Sequence, residues 1–371
     1  MKFQVDKANL IQILQRVQSI TDRKSNMPIL SNCLMKASSD GLVEFSATDL
    51  ELNVWTKMAA QVDIEGKTTV SAKKLLEIVR EVPQELVSLE ALTNSKLLIQ
   101  AGRSRFELST IAAEDFPYIN IYQDVGLIKC DASLLRRALQ KTMYTIPAEE
   151  DTFTAPGLLW HGFEDEDLFR FVSSDGHRLA YFEVPAGAFP GLEVKSGGII
   201  IPRKAVQEMT KLLEKVSEAE IGVDEKSLVL RTPDAFLSTL LLDAEFPEYE
   251  VIIPPERPNG FTVETDVIYP ALKRVAVLTD MTYRHVRFNV SQNSLELDCG
   301  NPELGNANDV IDIDYTGEDF SVAFNVRYVL DCIQVMESST IRFEWVDQFH
   351  GGIFLAPEDP GYLSLIMPMV V

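Results

Sequence analysis

The chain has only four cysteines and four histidines among its 371 residues. Cys33, Cys130, Cys299 and Cys332 stand far apart with no CxxC pair, which supports neither a zinc site nor a disulfide framework. They read as core thiols of a reducing compartment. No apolar run reaches the roughly 20 residues that a membrane-spanning helix needs. The start, Met1-Lys2-Phe3-Gln4-Val5-Asp6, is no signal peptide. The expectation is a cytoplasmic protein with no membrane partner. Positive charge is also scarce: 34 Lys and Arg stand against 56 Asp and Glu, a net charge of −22. Such a balance excludes a protein that coats nucleic acid with its whole surface, but leaves room for a local basic patch.

What is present is a repeat. Residues 201–216 show its form: the short apolar strand ending at Ile201, then Pro202, then a segment with Val206, Met209, Leu213 and Val216 on one helical stripe. Lys204, Lys211 and Lys215 fall on another face. The same strand-then-helix unit opens at Lys2 (with Asp6 as N-cap), Thr68, Ile128, Ile199, Phe261 and Val322, and strand-like runs follow each copy. Val5, Cys130 and Val263 register with one another, as do Leu14, Leu139 and Leu272 nine residues on. Val70, Ile201 and Phe324 register the other three copies. A repeat on this scale decides architecture ahead of any local motif. It predicts three similar domains, each two copies of a strand–helix–three-strand unit, joined near residues 119–127 and 253–260. Pro270 conflicts locally, so the fifth helix either starts late, near Tyr269, or is kinked.

Charge divides along the same lines. Taken as 6–20, 72–81, 132–142, 203–217, 265–278 and 326–336, the six helices hold 15 basic and 7 acidic residues. The remainder holds 19 basic and 49 acidic ones. Helices tolerate Lys and Arg well, which is the plain explanation. The sharper one is a shared helical surface that meets a polyanion while an acidic exterior repels it elsewhere. No base-reading module is recognisable, so contact would be with phosphates, without sequence preference.

Readings as an enzyme do not survive. Gly66-Lys67-Thr68 looks like the end of a phosphate-binding loop, but Gln61 stands where the first glycine belongs and a strand follows. Ser174, Asp175 and His177 are sequence neighbours on a turn, without a nucleophile elbow. Glu164-Asp165-Glu166-Asp167 lacks the spaced ligands and glycine of a calcium loop and reads as a solvated hairpin turn. His350-Gly351-Gly352 reads as a turn between strands. Neither a metal nor a cofactor is expected.

A series of short motifs then runs through the whole chain in order. Met1-Lys2-Phe3-x-Val5, Met27-Pro28-Ile29-Leu30, Thr48-Asp49-Leu50-Glu51, Gly102-Arg103-Ser104-Arg105-Phe106 and Asp115-Phe116-Pro117 come first. Asp175-Gly176-His177-Arg178-Leu179-Ala180, Pro202-Arg203-Lys204 and Phe246-Pro247-x-Tyr249 follow. Asn301-Pro302-Glu303, Phe324-Asn325-Val326 and Met367-Pro368-Met369 close the series. In these motifs the chain resembles the DNA polymerase III beta subunits of bacteria, the sliding clamps.

The resemblance implies an α+β DNA-clamp fold with domains at 1–122, 127–253 and 260–371. It implies a head-to-tail homodimeric ring of six domains, with helices lining the hole and sheets outside. Duplex DNA is then threaded without sequence preference. The ring tethers the DNA polymerase III alpha subunit, the clamp loader and other proteins bearing a clamp-binding motif. By position, the residues implied to face DNA are Lys24, Lys74, Arg80, Arg137, Arg203 and Lys204. A partner-peptide cleft would use Ser174, Gly176, His177, Arg178, Leu179, Pro247, Ile252, Phe349, Leu365, Met367, Pro368 and Met369. Methionine and leucine make such a groove adaptable to short peptides of several partners. The subunit seam would set Phe106 and Leu108 against Val277 and Leu278 of a second copy, with Arg103 and Arg105 facing acids such as Glu303. The chain departs from the family pattern at Ala155, where a larger apolar residue is usual, at Val251, where Arg is common, and in its Val370-Val371 ending.

Overall fold

Six times along the chain a strand runs directly into a helix, and three strands follow. The computed structural model describes residues 1–21, 26–117, 125–148, 157–163, 167–194 and 197–370. The first unit is β1 (Lys2–Asp6), α1 (Lys7–Ile20), β2 (Asn32–Ala37), β3 (Leu42–Thr48) and β4 (Leu52–Ala59), with an added strand β5 (Gln61–Ile64). The second is β6 (Gly66–Ser71), α2 (Ala72–Glu81), β7 (Leu86–Leu92), β8 (Lys96–Ala101) and β9 (Ser104–Ile111). The third is β10 (Ile128–Asp131), α3 (Ala132–Thr142), β11 (Gly157–Phe163), β12 (Leu168–Ser174) and β13 (Arg178–Pro185). The fourth is β14 (Ile199–Pro202), α4 (Arg203–Leu212), β15 (Glu218–Val223), β16 (Ser227–Arg231) and β17 (Ala235–Leu240). The fifth is β18 (Asn259–Glu264), α5 (Thr265–Val275), β19 (His285–Ser291), β20 (Ser294–Asn301) and β21 (Gly305–Asp312). The sixth is β22 (Phe320–Asn325), α6 (Val326–Gln334), β23 (Thr340–Trp345), β24 (Gly352–Leu355) and β25 (Tyr362–Ile366).

Local chemistry explains the sharp strand-to-helix joints. Each of four strands ends in a residue whose side chain accepts a helix N–H: Asp6 from Asn9 at 3.0 Å, Ser71 from Lys74 at 3.4 Å, Asp131 from Ser133 at 2.8 Å and Asn325 from Arg327 at 3.0 Å. These caps satisfy donors that the first helical turn leaves open. Every residue of the three registered sets is buried: Val5, Cys130 and Val263; Leu14, Leu139 and Leu272; Val70, Ile201 and Phe324. The sequence repeat is therefore a repeat of core positions.

Two differences from the sequence reading have simple causes. The fifth helix starts at Thr265 and contains Pro270, so the late start is wrong. Ile268, Ala271, Leu272 and Val275 bury one face, and that packing holds the helix through the missing N–H. The fourth helix ends at Leu212 and passes into a turn, so Val216 is not on its stripe.

The described chain divides into two compact units, Met1–Ser133 with Phe189–Glu193 and Gln207–Leu241, and Leu134–Ala188 with Val194–Val206 and Leu242–Val371. One 13-stranded sheet runs through the first, in the order β10-β15-β16-β17-β4-β3-β2-β6-β9-β8-β7-β1-β5. The second has an 8-stranded sheet, β14-β11-β12-β13-β25-β24-β23-β18, and a 4-stranded one, β21-β20-β19-β22. Ladders join the repeat units within each successive pair, and two further junctions link one pair to the next. β4 joins β17, and β13 joins β25, both antiparallel. All four cysteines are buried and free, and burial pushes the Cys33 thiol up to about 12.

Candidate nucleic-acid face, partner groove and subunit edges

The helical cations split into two groups. Lys74 and Arg80 on α2 are exposed, and Lys74 lies 2.8 Å from Glu77 one turn on. Arg203 and Lys204 open α4 half-buried, and the Arg203 guanidinium donates to the Ile146 carbonyl. Lys24 lies outside the described residues. Other cations are committed elsewhere. The Lys7 ammonium donates to the Arg80 and Val82 carbonyls at 3.0 and 2.6 Å, closing the end of α2. Arg16 lies 2.7 Å from Asp234. Arg137, expected to face DNA, instead pairs with Asp359 and Glu337 and stacks its guanidinium 5.3 Å from the Phe182 ring. Lys141 sits beside it, 2% exposed, against Asp359, which is 0% exposed. The sequence-level charge excess of the helices therefore overstates what a polyanion can reach.

In the second unit the groove residues separate into surface and floor. The β12–β13 turn is closed by Asp175, whose carboxylate accepts from the backbone N–H of His177 and Arg178 at 3.1 and 3.0 Å. Gly176 there takes φ +81°, a left-handed conformation that favours glycine. This is a structural turn, as expected, and no catalytic triad. Ser174 accepts from the Gly176 N–H at 3.2 Å within it. His177 is exposed, and its carbonyl accepts from the Met367 N–H at 2.8 Å. The tail continues along β22, where the Met369 N–H donates to the Ala323 carbonyl at 2.7 Å. Phe349 is 74% exposed, and with Met367, Pro368, Met369, Arg287, Ala323 and Gln348 it bounds a cavity of about 380 Å³. Arg287, Ala323 and Gln348 were not anticipated, because they come together only where the β19–β22 pair, the β23–β24 loop and the folded tail meet.

Three expected cleft residues are not available at its surface. Leu179 and Leu365 face each other across the β13–β25 pair and are 0% exposed. They form a buried floor with Leu159, Val172, Ile200, Tyr249, Ile353 and Leu363. Arg178 is buried as well: it reaches Asp175 at 3.0 Å, Asp331 at 2.8 Å and the Tyr144 carbonyl at 2.9 Å, and lies 4.1 Å from the Tyr328 ring. It fastens the turn to α6 rather than meeting a ligand.

Pro247 and Ile252 are exposed on either side of Tyr249, which is anchored beneath them. The Arg170 guanidinium lies between the Phe163 and Tyr181 rings, at 4.4 and 4.6 Å, and donates to the Tyr249 hydroxyl at 2.9 Å. His161 Nε2 is 2.8 Å from the same hydroxyl. Burial, and next the positive charge of Arg170, hold the His161 imidazole down at about 4 from an ordinary 6.5. Between those values the unfolded chain binds more protons than the folded one, so stability rises with pH across that window and is lost as pH falls. His161→Gln flattens the acid limb of a pH series of denaturation midpoints between about pH 4 and 6.5. An unchanged limb contradicts this account of the cluster.

Two of the open strand edges carry the residues expected at the subunit seam. β9 pairs fully with β8 but meets β6 only at Thr110 and Ile111, leaving Ser104–Ser109 with a free edge. Phe106 on it is exposed, Leu108 is half-buried, and exposed Arg103 and Arg105 flank them. β21 is an end strand of the 4-stranded sheet. Exposed Glu303 and Leu304 precede it, exposed Val310 lies on it, and Val277, 74% exposed, follows α5 with half-buried Leu278. The strand closing the first unit pairs with that closing the fourth, and the strand closing the third with that closing the sixth. β9 and β21 close the second and fifth units, and neither is paired with the other.

Comparison with known proteins settles the family. Residues 1–120, 129–248 and 250–370 match the N-terminal, central and C-terminal domains of the DNA polymerase III beta subunit. The chain belongs to this family of sliding clamps. It is 35% identical to the beta sliding clamp of Caulobacter vibrioides and 30% to that of Escherichia coli K12, over 100% of each chain. A sliding clamp from Bartonella birtlesii, solved bound to griselimycin, has a TM-score of 0.91 at 30% identity with 100% of both chains covered. A DNA polymerase sliding clamp from Caulobacter crescentus gives 0.87 at 34%, again over 100% of both.

The clamp fold, three domains of mixed helix and sheet, is thus the fold of this chain. A sliding clamp is a processivity factor for DNA polymerase, with DNA and polymerase as its partners and a dimer as its working form, and it is not a catalyst. Among the described residues no group of His, Cys, Asp and Glu could hold a metal ion. Among the described residues no helix is long and apolar enough to cross a membrane. Of the departures from the clamp pattern, Val251 is 76% exposed next to Ile252, while Ala155 and Val371 lie outside the described residues.

Proposed function

We propose that two copies of this clamp close head to tail into a cytoplasmic ring of six domains, divided at 1–122, 127–253 and 260–371, with helices inward and sheets outward around duplex DNA. The observation that carries this reading is the sixfold strand–helix unit with two internal strand junctions and with open edges at β9 and β21, which close the second and fifth units. Phe106 and Leu108 of one copy then meet Val277 and Leu278 of the other, and Arg103 and Arg105 approach Glu303. Lys74, Arg80, Arg203, Lys204 and Lys24 face the duplex, and because they are cations that read no base, the ring slides without sequence preference. The cavity at Phe349 and Met367–Met369, with His177, Pro247 and Ile252 on its approaches, takes the clamp-binding segments of the polymerase III alpha subunit, the clamp loader and other partners.

Reversing charge at both Lys74 and Arg80 tests the assignment of the inner face, since both side chains are exposed. Loading of the Lys74→Glu/Arg80→Glu form onto nicked circular DNA by an active clamp loader falls several-fold at low salt. The deficit narrows as salt rises, because exposed phosphate contacts are screened beyond a Debye length of about 10 Å at 0.1 M. Wild-type loading at low salt contradicts the assignment.

A further inference from the structure

Each strand that opens a repeat unit has one side in a ladder, and what lies along its other side differs between the copies. β1 takes β5 there, and β6 takes β9. β14 accepts the Leu242 N–H at its Ile200 carbonyl, 2.9 Å away, and β22 accepts the Met369 N–H at its Ala323 carbonyl, 2.7 Å away. Among the described residues, β10 and β18 stand at the ends of their sheets with no strand on that side. A bare edge is a template for another chain, and proteins guard such edges with lysine, proline, bulges or short length. β10 is short, Ile128–Asp131, and carries the exposed Lys129. β18 has no such guard: Asn259–Glu264 contains neither Lys nor Pro and keeps an unbroken register with β23.

Backbone geometry sets what that edge offers. The Thr265 N–H donates to the Ser339 carbonyl at 2.8 Å, one step beyond the Glu264–Thr340 pair. Alternate residues of a strand turn their N–H and C=O groups to opposite sides, so Phe261 and Val263 face β23 while Gly260 and Thr262 face away. Through the registered anchors Val5 and Val263, these two correspond to Lys2 and Gln4, which lie opposite Ile64 and Gln61 of β5. The chain itself thus shows how such an edge is filled, by an antiparallel strand. Beside β18, in place of a strand, lies a cavity of about 380 Å³ bounded in part by Thr262, Glu264, Asn293, Asp312, Asp314 and Thr340.

The charge around the cavity selects its occupant. Glu264, Asp312 and Asp314 are exposed there, and no Lys or Arg lines it. A second copy of this chain would bring those carboxylates against themselves, and a nucleic acid would be repelled by them. We propose that the β18 edge docks an extended, basic segment of a partner protein, which adds antiparallel to β18 and sets Lys or Arg at alternate residues against the three carboxylates. Main-chain bonds to Gly260 and Thr262 hold the segment, and the carboxylates fix the sign of the charge it must carry. None of these residues lines the groove at Phe349, so a clamp-binding segment seated in that groove does not compete for the edge.

The test titrates the full-length clamp with a capped peptide of alternating Lys and Val. Binding saturates, and hydrogen exchange slows at the Gly260 and Thr262 amides. The same peptide with every backbone N–H methylated keeps its charge but cannot form the ladder, and it does not saturate. Asp312→Lys with Asp314→Lys, both at exposed positions, weakens binding by about ten-fold. Thr262→Pro removes an outward N–H, leaves the β23 ladder whole and weakens binding as well. Wild-type circular dichroism and melting show each variant folded, and if Thr262→Pro fails that control the charge reversal decides. Absence of saturation with the wild type, equal binding of the methylated peptide, or unchanged affinity after charge reversal overturns the docking site. So does displacement of the peptide by a clamp-binding-motif peptide, which places it in the groove instead.

Discussion

Asp359→Ala destabilises the unit built from Leu134–Ala188, Val194–Val206 and Leu242–Val371 by about 3 to 5 kcal/mol, the usual cost of leaving one member of a buried ion pair without its partner. Lys141 is 2% exposed and Asp359 0%. Without Asp359 the ammonium keeps the Val335 carbonyl at 2.9 Å and, farther off, the exposed Glu337 carboxylate at 3.5 Å. Arg137 pairs with the same carboxylate and loses half of its compensation as well. For a unit of this size each kcal/mol moves the midpoint by roughly 2 to 4 °C, so the melting temperature falls by about 10 °C. The Lys141→Met/Asp359→Leu double variant, which removes both charges and fills the space, recovers most of that loss. A melting temperature within about 2 °C of wild type for Asp359→Ala contradicts a dry, paired cluster.

Deleting Met367 to Val371 abolishes binding of a clamp-binding-motif peptide and leaves the dimer intact. The tail supplies four of the residues around the 380 Å³ cavity, Met367, Pro368, Met369 and Val370. Its two backbone bonds, to the His177 and Ala323 carbonyls, hold those side chains over the groove. Neither bond touches β9 or β21, so the subunit edges are untouched. Titration of a fluorescent peptide shows no saturation with the truncated clamp, and native mass still reports two copies. Loss of the dimer places the tail at the seam and contradicts this map. Full-strength peptide binding places the groove elsewhere.

The architecture was legible because the repeat records burial. Nine residues separate Val5 from Leu14, Cys130 from Leu139 and Val263 from Leu272, and the pleat of a strand followed by whole helical turns keeps each pair inside. The partners of charged residues were not legible. Arg137 and Lys141 look like a solvated helical face until the β24–β25 loop, some two hundred residues on, brings Asp359 against them. The apolar groove was half legible. Phe349 and Met367 are exposed, but Leu179 and Leu365 have the same composition and pair face to face in the sheet, which buries them. Open edges cannot be read from one strand: β9 is free only because β6 turns away after two residues. Pro270 shows the converse, a local rule overridden by the packing of a helix face.

The central claim is that the clamp holds DNA by encircling it. Clamp loaded by an active loader and ATP is compared on a nicked circular plasmid and on the same plasmid linearised, both washed in high salt. Salt strips contacts that depend on phosphate charge, but it cannot unlink a closed ring from a circle. The account predicts protein retained on the circle and lost from the linear form by sliding off its ends. Equal loss from both contradicts it.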